Sequence, residues 1–181
     1  MSTKKPFLTS DKLFGLTAML ISLVTLIIFV RQTNIMDKQS RLSAMPYLML
    51  ETSANSYDQE FILDLVNYGV GPAIIDGKTI SLNGETFELE FHEFLRTQFK
   101  SYGMDTVNII SHSTLQRGLA IPSGGQRTLL KVGGTKEDYT AFMQLFGQVQ
   151  QDSLNFVIRY SSIYGDKWRI SATEEIPKEL E

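Results

Sequence analysis

His92 and His112 are the only imidazoles in a chain of 181 residues that contains no cysteine. Zinc sites need three or four His, Cys or carboxylate ligands at short spacings. These two histidines stand in different elements, His92 beside Glu93 in a helical stretch and His112 at the close of a strand. The spacing predicts surface or loop histidines, with His92 on the polar face of its helix, and no bound metal. Ser111 and Ser113 flank His112, and a serine with a histidine is the minimum for a nucleophile and its base. Neither serine, however, has the Gly-x-Ser-x-Gly elbow that exposes such a nucleophile. Without cysteine there is no thiolate ligand, no disulfide framework and no cysteine nucleophile.

Two glycine-rich stretches invite comparison with phosphate-binding loops. Gly69-x-Gly71 lacks the third glycine and the helix that a dinucleotide fingerprint requires, because Pro72-Ala73-Ile74-Ile75 continues as strand. Gly133-Gly134-Thr135-Lys136 precedes a helix and offers amides and a lysine, yet it lacks the upstream glycine of a phosphate loop and reads as a helix cap. Paired carboxylates could serve glycosidase chemistry, but residues 45–181 hold eighteen acids, so chance supplies many such pairs. No cofactor is implied, and an enzyme is the least supported class.

The elements that carry these residues begin with a membrane anchor. Leu13 to Val30 (LFGLTAMLISLVTLIIFV) contains no charge and is closed by Lys12 and Arg31. At about 1.5 Å per helical residue the run spans roughly 27 Å, near the bilayer hydrocarbon thickness of about 30 Å. It is longer than the apolar core of a cleaved signal peptide and runs into Arg31-Gln32-Thr33-Asn34 without a small-residue cleavage pattern. Its polar breaks, Thr17, Ser22 and Thr25, have hydroxyls that can bond back to helix carbonyls. Ala18, Ser22 and Thr25 share one face at i, i+4, i+7, the small-residue pattern that lets two helices approach closely. Cations flank both ends equally, Lys4, Lys5 and Lys12 against Arg31, Lys38 and Arg41. A short basic tail before a first apolar helix is the usual export signal, so the expected orientation is amino terminus inside, with the domain periplasmic or extracellular.

The expected organisation is a basic tail (1–12), the transmembrane helix (13–30), a polar helical stalk (31–45) stopped at Met45-Pro46, one domain (46–172) and a frayed acidic tail (173–181). Residues 1–44 carry six Lys/Arg and two Asp/Glu, a net of +4, and residues 45–181 carry eleven and eighteen, a net of −7. An acidic domain is repelled by nucleic acid and a basic juxtamembrane segment is drawn to anionic headgroups. The expected partners are therefore the lipid bilayer and another protein or a second copy, with no nucleic acid.

Beyond Pro46 the apolar period becomes alternating. Strands are expected over Tyr47–Glu51, Glu60–Asn67, Ala73–Asp76, Lys78–Leu82, Val107–Ser111 and Thr128–Val132, with a closing hairpin of Leu154–Tyr160 and Lys167–Ala172. Phe87, Phe91, Leu95 and Phe99 predict one amphipathic helix, although Phe87-Leu89-Phe91 also fits a strand. Tyr139, Phe142, Met143, Phe146 and Val149 predict a second helix, capped by Thr135 and Asp138 in the capping-box manner. The sum is a mainly β protein: an antiparallel β-sandwich with two inserted helices behind one transmembrane helix.

Three pieces carry a resemblance: Pro46-Tyr47-Leu48 just after the stalk, the string Leu65-x-Asn67-x-Gly69-x-Gly71-Pro72-Ala73, and the closing hairpin Val157-x-Arg159-Tyr160 through Tyr164-Gly165 to Trp168. Together they resemble small bacterial single-pass membrane proteins with one immunoglobulin-like β-sandwich. The likeness implies that fold over residues 46–172 and implies that the Asn-x-Gly-x-Gly-Pro-Ala element connects two strands. It carries over no functional residue.

The function expected is a non-enzymatic, membrane-tethered domain that binds another protein or stabilises a membrane complex. The alternative is a membrane effector or sensor whose domain faces the cytosol and answers a ligand by assembly of its anchor helices. Candidate contact residues are Ile121, Pro122, Ser123 and Arg127 on an exposed turn and its flanks. Tyr160, Tyr164 and Trp168 join them because Tyr and Trp are enriched at binding surfaces, with core and corner packing as their other reading.

Overall fold

The computed structural model describes residues 10–102 and 107–180; the expected tail at 1–12 lies outside them as far as residue 9, as does Glu181. Two compact units divide at Leu42/Ser43.

The first unit contains one continuous helix, α1 (Ser10–Ser43), with no buried residue. It is long and apolar enough to cross a membrane. The hydroxyls of its apolar run are satisfied within the helix: Thr17 donates to the Leu13 carbonyl (2.9 Å), Ser22 to Ala18 (2.9 Å) and Thr25 to Ile21 (2.8 Å). An exposed hydroxyl in apolar surroundings would otherwise lose a hydrogen bond. The helix ends before Pro46, whose ring disfavours helical geometry at the preceding residue.

The second unit is built on two antiparallel sheets. One holds, in spatial order, β1 (Leu48–Asn55), β2 (Glu60–Asn67), β7 (Gln126–Gly133) and β5 (Ile109–His112). The other runs β10 (Lys178–Leu180), β9 (Lys167–Ser171), β8 (Asn155–Ser161), β3 (Ala73–Leu82) and β4 (Glu85–Phe87), with β6 (Ala120–Ile121) pairing with β3. Helix α2 (Phe91–Ser101) follows β4, and α3 (Lys136–Gln151) follows β7. The inward residues of both sheets meet in one core that includes Leu48, Leu65, Ile80, Leu130, Ile158 and Ile170, with Phe94 and Phe99 of α2 and Phe142 of α3.

Several elements differ from the sequence expectation. Ala73–Leu82 is one strand, because the break at Asp76-Gly77 is a bulge in its pairing with β8 and not a turn. The residues up to Phe87 form β4, and α2 begins only at Phe91, where the Glu93 carboxylate accepts from the Glu90 backbone N–H (3.1 Å). Thr135 caps α3 by accepting from the Asp138 N–H (3.1 Å). The Asp138 carboxylate accepts from the Thr135 hydroxyl (2.7 Å) and from Asn108 N–H (3.1 Å) instead of closing a capping box. Aspartate is one methylene shorter than the glutamate such a box uses. The tail expected to fray instead pairs as β10 on β9, with Glu174 bonded to Arg169 (3.1 Å) and Lys178 (2.8 Å).

Candidate functional site

Tertiary packing brings the two histidines together. The Glu90 carboxylate is bonded to Lys78 of β3 and accepts from Leu115 N–H (3.3 Å), which draws the chain after β5 onto the first turn of α2. His92 and His112 then stack with ring centroids 3.7 Å apart and planes inclined by 19°. His92 is 9% exposed and its Nδ1 has no partner, so it is a buried residue and not one on a polar helix face. The sequence reading failed there because only the fold supplies the second ring that covers it. Burial, helped by His112 and Arg96 and opposed by Glu93 and Glu90, holds the His92 pKa below its ordinary value. Among the described residues no three His, Cys, Asp or Glu side chains gather as a metal site requires.

The Asn-x-Gly-x-Gly-Pro-Ala string forms a clasp around a buried amide. The Asn67 Oδ1 accepts from Tyr47 N–H (3.1 Å) and Gly69 N–H (3.0 Å). Its Nδ2 donates to the carbonyls of Gly71 (2.9 Å), Ile121 (3.0 Å) and Pro122 (3.2 Å). One side chain thus ties three segments: the strap before β1, the loop after β2 and the turn after β6. Val70 and Gly71 both donate to the Met45 carbonyl, at 3.0 and 3.2 Å. The glycines are required by close approach, since a Cβ on Gly69 would sit 2.3 Å from Tyr47 N and one on Gly71 2.0 Å from the Ala44 oxygen. The Asn67 network is the feature that residue-type reasoning missed; its signal is an asparagine at the head of a Gly-x-Gly-Pro string.

At this end of the domain the candidate contact residues separate into two groups. Pro122 and Ser123 are exposed, with the Ser123 hydroxyl donating to the Gly69 carbonyl (2.6 Å). Tyr68 and Val70 on the same loop are exposed too, at 58% and 65%. The β8–β9 turn leaves its sheet at the same end, because Ser161 pairs with Ile74 and Ile121 with Ala73, and it presents Ile163 and Tyr164. By contrast Ile121, Tyr160 and Trp168 are buried. The Tyr160 hydroxyl accepts from Leu48 N–H (3.3 Å), its ring stacks on Trp168 (5.9 Å), and burial pushes its pKa up to about 12. These two rings take the core reading, and Arg127 lies half-buried within β7 opposite Leu65. Sequence reasoning did not single out Tyr68, Val70 or Ile163; apolar residues inside turn segments were the signal.

In α1, Ala18, Ser22 and Thr25 lie on exposed helix surface, and the Ser22 and Thr25 hydroxyls already donate to helix carbonyls. Any contact along that face is therefore one of packing and not of donated hydrogen bonds. No protein-family model, curated protein or solved structure matches this chain.

Proposed function

We propose that this protein is a membrane-tethered, non-enzymatic interaction domain. Helix α1 spans the inner membrane once, with the amino terminus inside and the β-domain in the periplasm or outside the cell. The domain is an immunoglobulin-like sandwich with α2 and α3 as insertions. The sheet orders β1-β2-β7-β5 and β9-β8-β3 support this reading, because they reproduce the A-B-E-D and G-F-C orders of that fold. The observation that carries the functional reading is the set of exposed apolar side chains on the clasped end, Tyr68, Val70, Ile163 and Tyr164 beside Pro122 and Ser123. A soluble surface rimmed by polar groups displays such a cluster where it meets a partner. Tethering adds to the affinity of a membrane-bound partner by raising its effective concentration.

Two measurements test the proposal. Fusions of alkaline phosphatase and of a fluorescent protein to the carboxy terminus report the side of the membrane; phosphatase activity without fluorescence is expected, and the reverse overturns the orientation. A photo-crosslinking residue at Ser123 should yield one discrete adduct in intact cells and none at Lys136, which lies at the opposite end. Equal labelling at both positions, or none at Ser123, overturns the contact surface.

A further inference from the structure

Strand β1 is the one long edge strand among the described residues; the other edges, β4, β5, β6 and β10, are two to four residues each. Its pairing with β2 runs from Leu48↔Asn67 to Asn55↔Glu60 with no shift in register. The direction of its backbone groups follows from two bonds. Tyr68 N–H donates to the Tyr47 carbonyl, so Tyr47 faces β2, whereas Leu48 N–H leaves the ladder for the Tyr160 hydroxyl. Successive residues of a strand alternate in this respect. The N–H and C=O groups of Leu50, Thr52 and Ala54 therefore face away from β2, onto the open side of the sheet.

Edge strands of this length are ordinarily guarded by lysine, proline, a bulge or a covering segment. The sequence of β1, LMLETSAN, has no lysine or proline, and its residues from Glu51 onward are exposed. Beside the edge lies an apolar cleft of about 560 Å³, whose lining includes Leu50 and Thr52 of β1, Phe61, Phe146, Leu154 and Ala172. A second hollow of about 340 Å³ shares Leu50 and Ala172 with it and reaches Glu175. An added strand that paired with Leu50, Thr52 and Ala54 would place alternate side chains over this cleft.

We infer that β1 accepts an extended segment of a partner protein by strand addition, with apolar side chains at alternate positions entering the cleft and cationic residues on the other face. Backbone pairing supplies affinity and the cleft supplies selectivity. The charge of the segment follows from the surface: β1 carries Glu51 and no cation, Glu175 lines the smaller hollow, and residues 45–181 carry a net of −7. The same net charge disfavours a second copy on this edge. The inference rests on the reading of the domain as an interaction module but concerns a surface other than its clasped end.

The test uses the full chain in nanodiscs of zwitterionic phosphatidylcholine, which carries no net charge. The probe is a pool of labelled eight-residue peptides with Val, Leu, Ile or Phe at even positions and Lys, Arg, Thr or Ser at odd ones, read by fluorescence anisotropy. Binders should lose at least tenfold in affinity on Thr52→Pro or Ala54→Pro, on N-methylation of alternate peptide amides, and on exchange of Lys and Arg for Glu. Thermal unfolding of both variants checks that the domain remains folded. The inference is overturned if no peptide binds, if Thr52→Pro and Ala54→Pro bind as the parent does, or if N-methylation has no effect. Self-association of the chain without peptide, lost on Thr52→Pro, would give the edge to a second copy and overturn it equally. A surviving adduct at Ser123 alongside any of these failures removes the edge alone and leaves the tethered interaction domain standing.

Discussion

At the clasped end of the sandwich both polar atoms of the Asn67 side chain find partners inside the domain, five backbone groups in three segments. Along the outer side of β1, some residues further on the same sheet, Leu50, Thr52 and Ala54 direct their backbone groups to no strand among the described residues. The two regions contain similar chemistry, amides and carbonyls beside apolar side chains, and differ in where the hydrogen bonds go. A buried polar group must be bonded internally or it costs the full desolvation, so the clasp is structure. An exposed edge exchanges its bonds with water at little cost, so it remains open to another chain. The side chains of Tyr68, Val70, Ile163 and Tyr164 are not among the partners of the Asn67 amide, although Tyr68 and Val70 help to hold the loop through their backbone N–H groups, so a partner can cover those side chains without breaking the clasp.

The largest effect is expected at Asn67. Asn67→Ala leaves buried donors and acceptors without partners and should destabilise the domain by about 3–5 kcal/mol, read as a lower denaturant midpoint of the full chain in detergent. A loss below ~1 kcal/mol would show that the clasp is not what holds the strap. Next in size are two prolines on neighbouring positions of β1. Ser53→Pro removes a ladder bond to β2 and should cost about 3 kcal/mol. Thr52→Pro removes an outward N–H and should change stability by less than ~1 kcal/mol. Equal effects of the two would refute the alternation on which the open edge depends. Gly71→Ala drives a Cβ against the Ala44 carbonyl and should cost roughly 1–3 kcal/mol, whereas Gly84→Ala, with open space around it but a φ of +86°, should cost only about 1 kcal/mol from backbone strain.

The smallest effect concerns pH. The folded-state pKa of His92 lies below its ordinary value of 6.5. As the pH falls the unfolded chain therefore takes up that proton first, and the contribution to stability is complete above this value and declines as pH drops through it. Thermal midpoints measured from pH 7.5 to 5.5 should fall more steeply for the parent than for His92→Phe. Superimposable pH profiles would mean that the ring is not desolvated in solution.

Much of the architecture was legible because it rests on local pattern. The uncharged run Leu13 to Val30 gave the long apolar helix, and the alternation in Glu60–Asn67 gave β2 with its observed bounds. Thr135 was readable as a cap because the hydroxyl-to-amide bond spans three residues. Less legible were features made by residues far apart in the chain. Nothing near Asp76-Gly77 distinguishes a bulge from a turn, since the partner that fixes the bulge is β8, more than eighty residues away. Likewise the residue types of Tyr160 and Trp168 favour a core or corner but admit a surface role, and it is packing that decides: the Tyr160 hydroxyl meets Leu48 of the opposite sheet, and Trp168 stacks on the Tyr160 ring.

By itself the amino-acid order determined the long apolar helix, the change from helical to alternating period after Pro46 and the opposite charges of the two parts. These depend on side chains within a few positions of one another and on composition, which no folding alters. Tertiary structure alone decided that two distant histidines stack, that Asn67 closes three segments into one end, and that β1 has no outer neighbour among the described residues. Each of those depends on which strands lie side by side, and strand order is set by the balance of the whole core, not by any one stretch of residues.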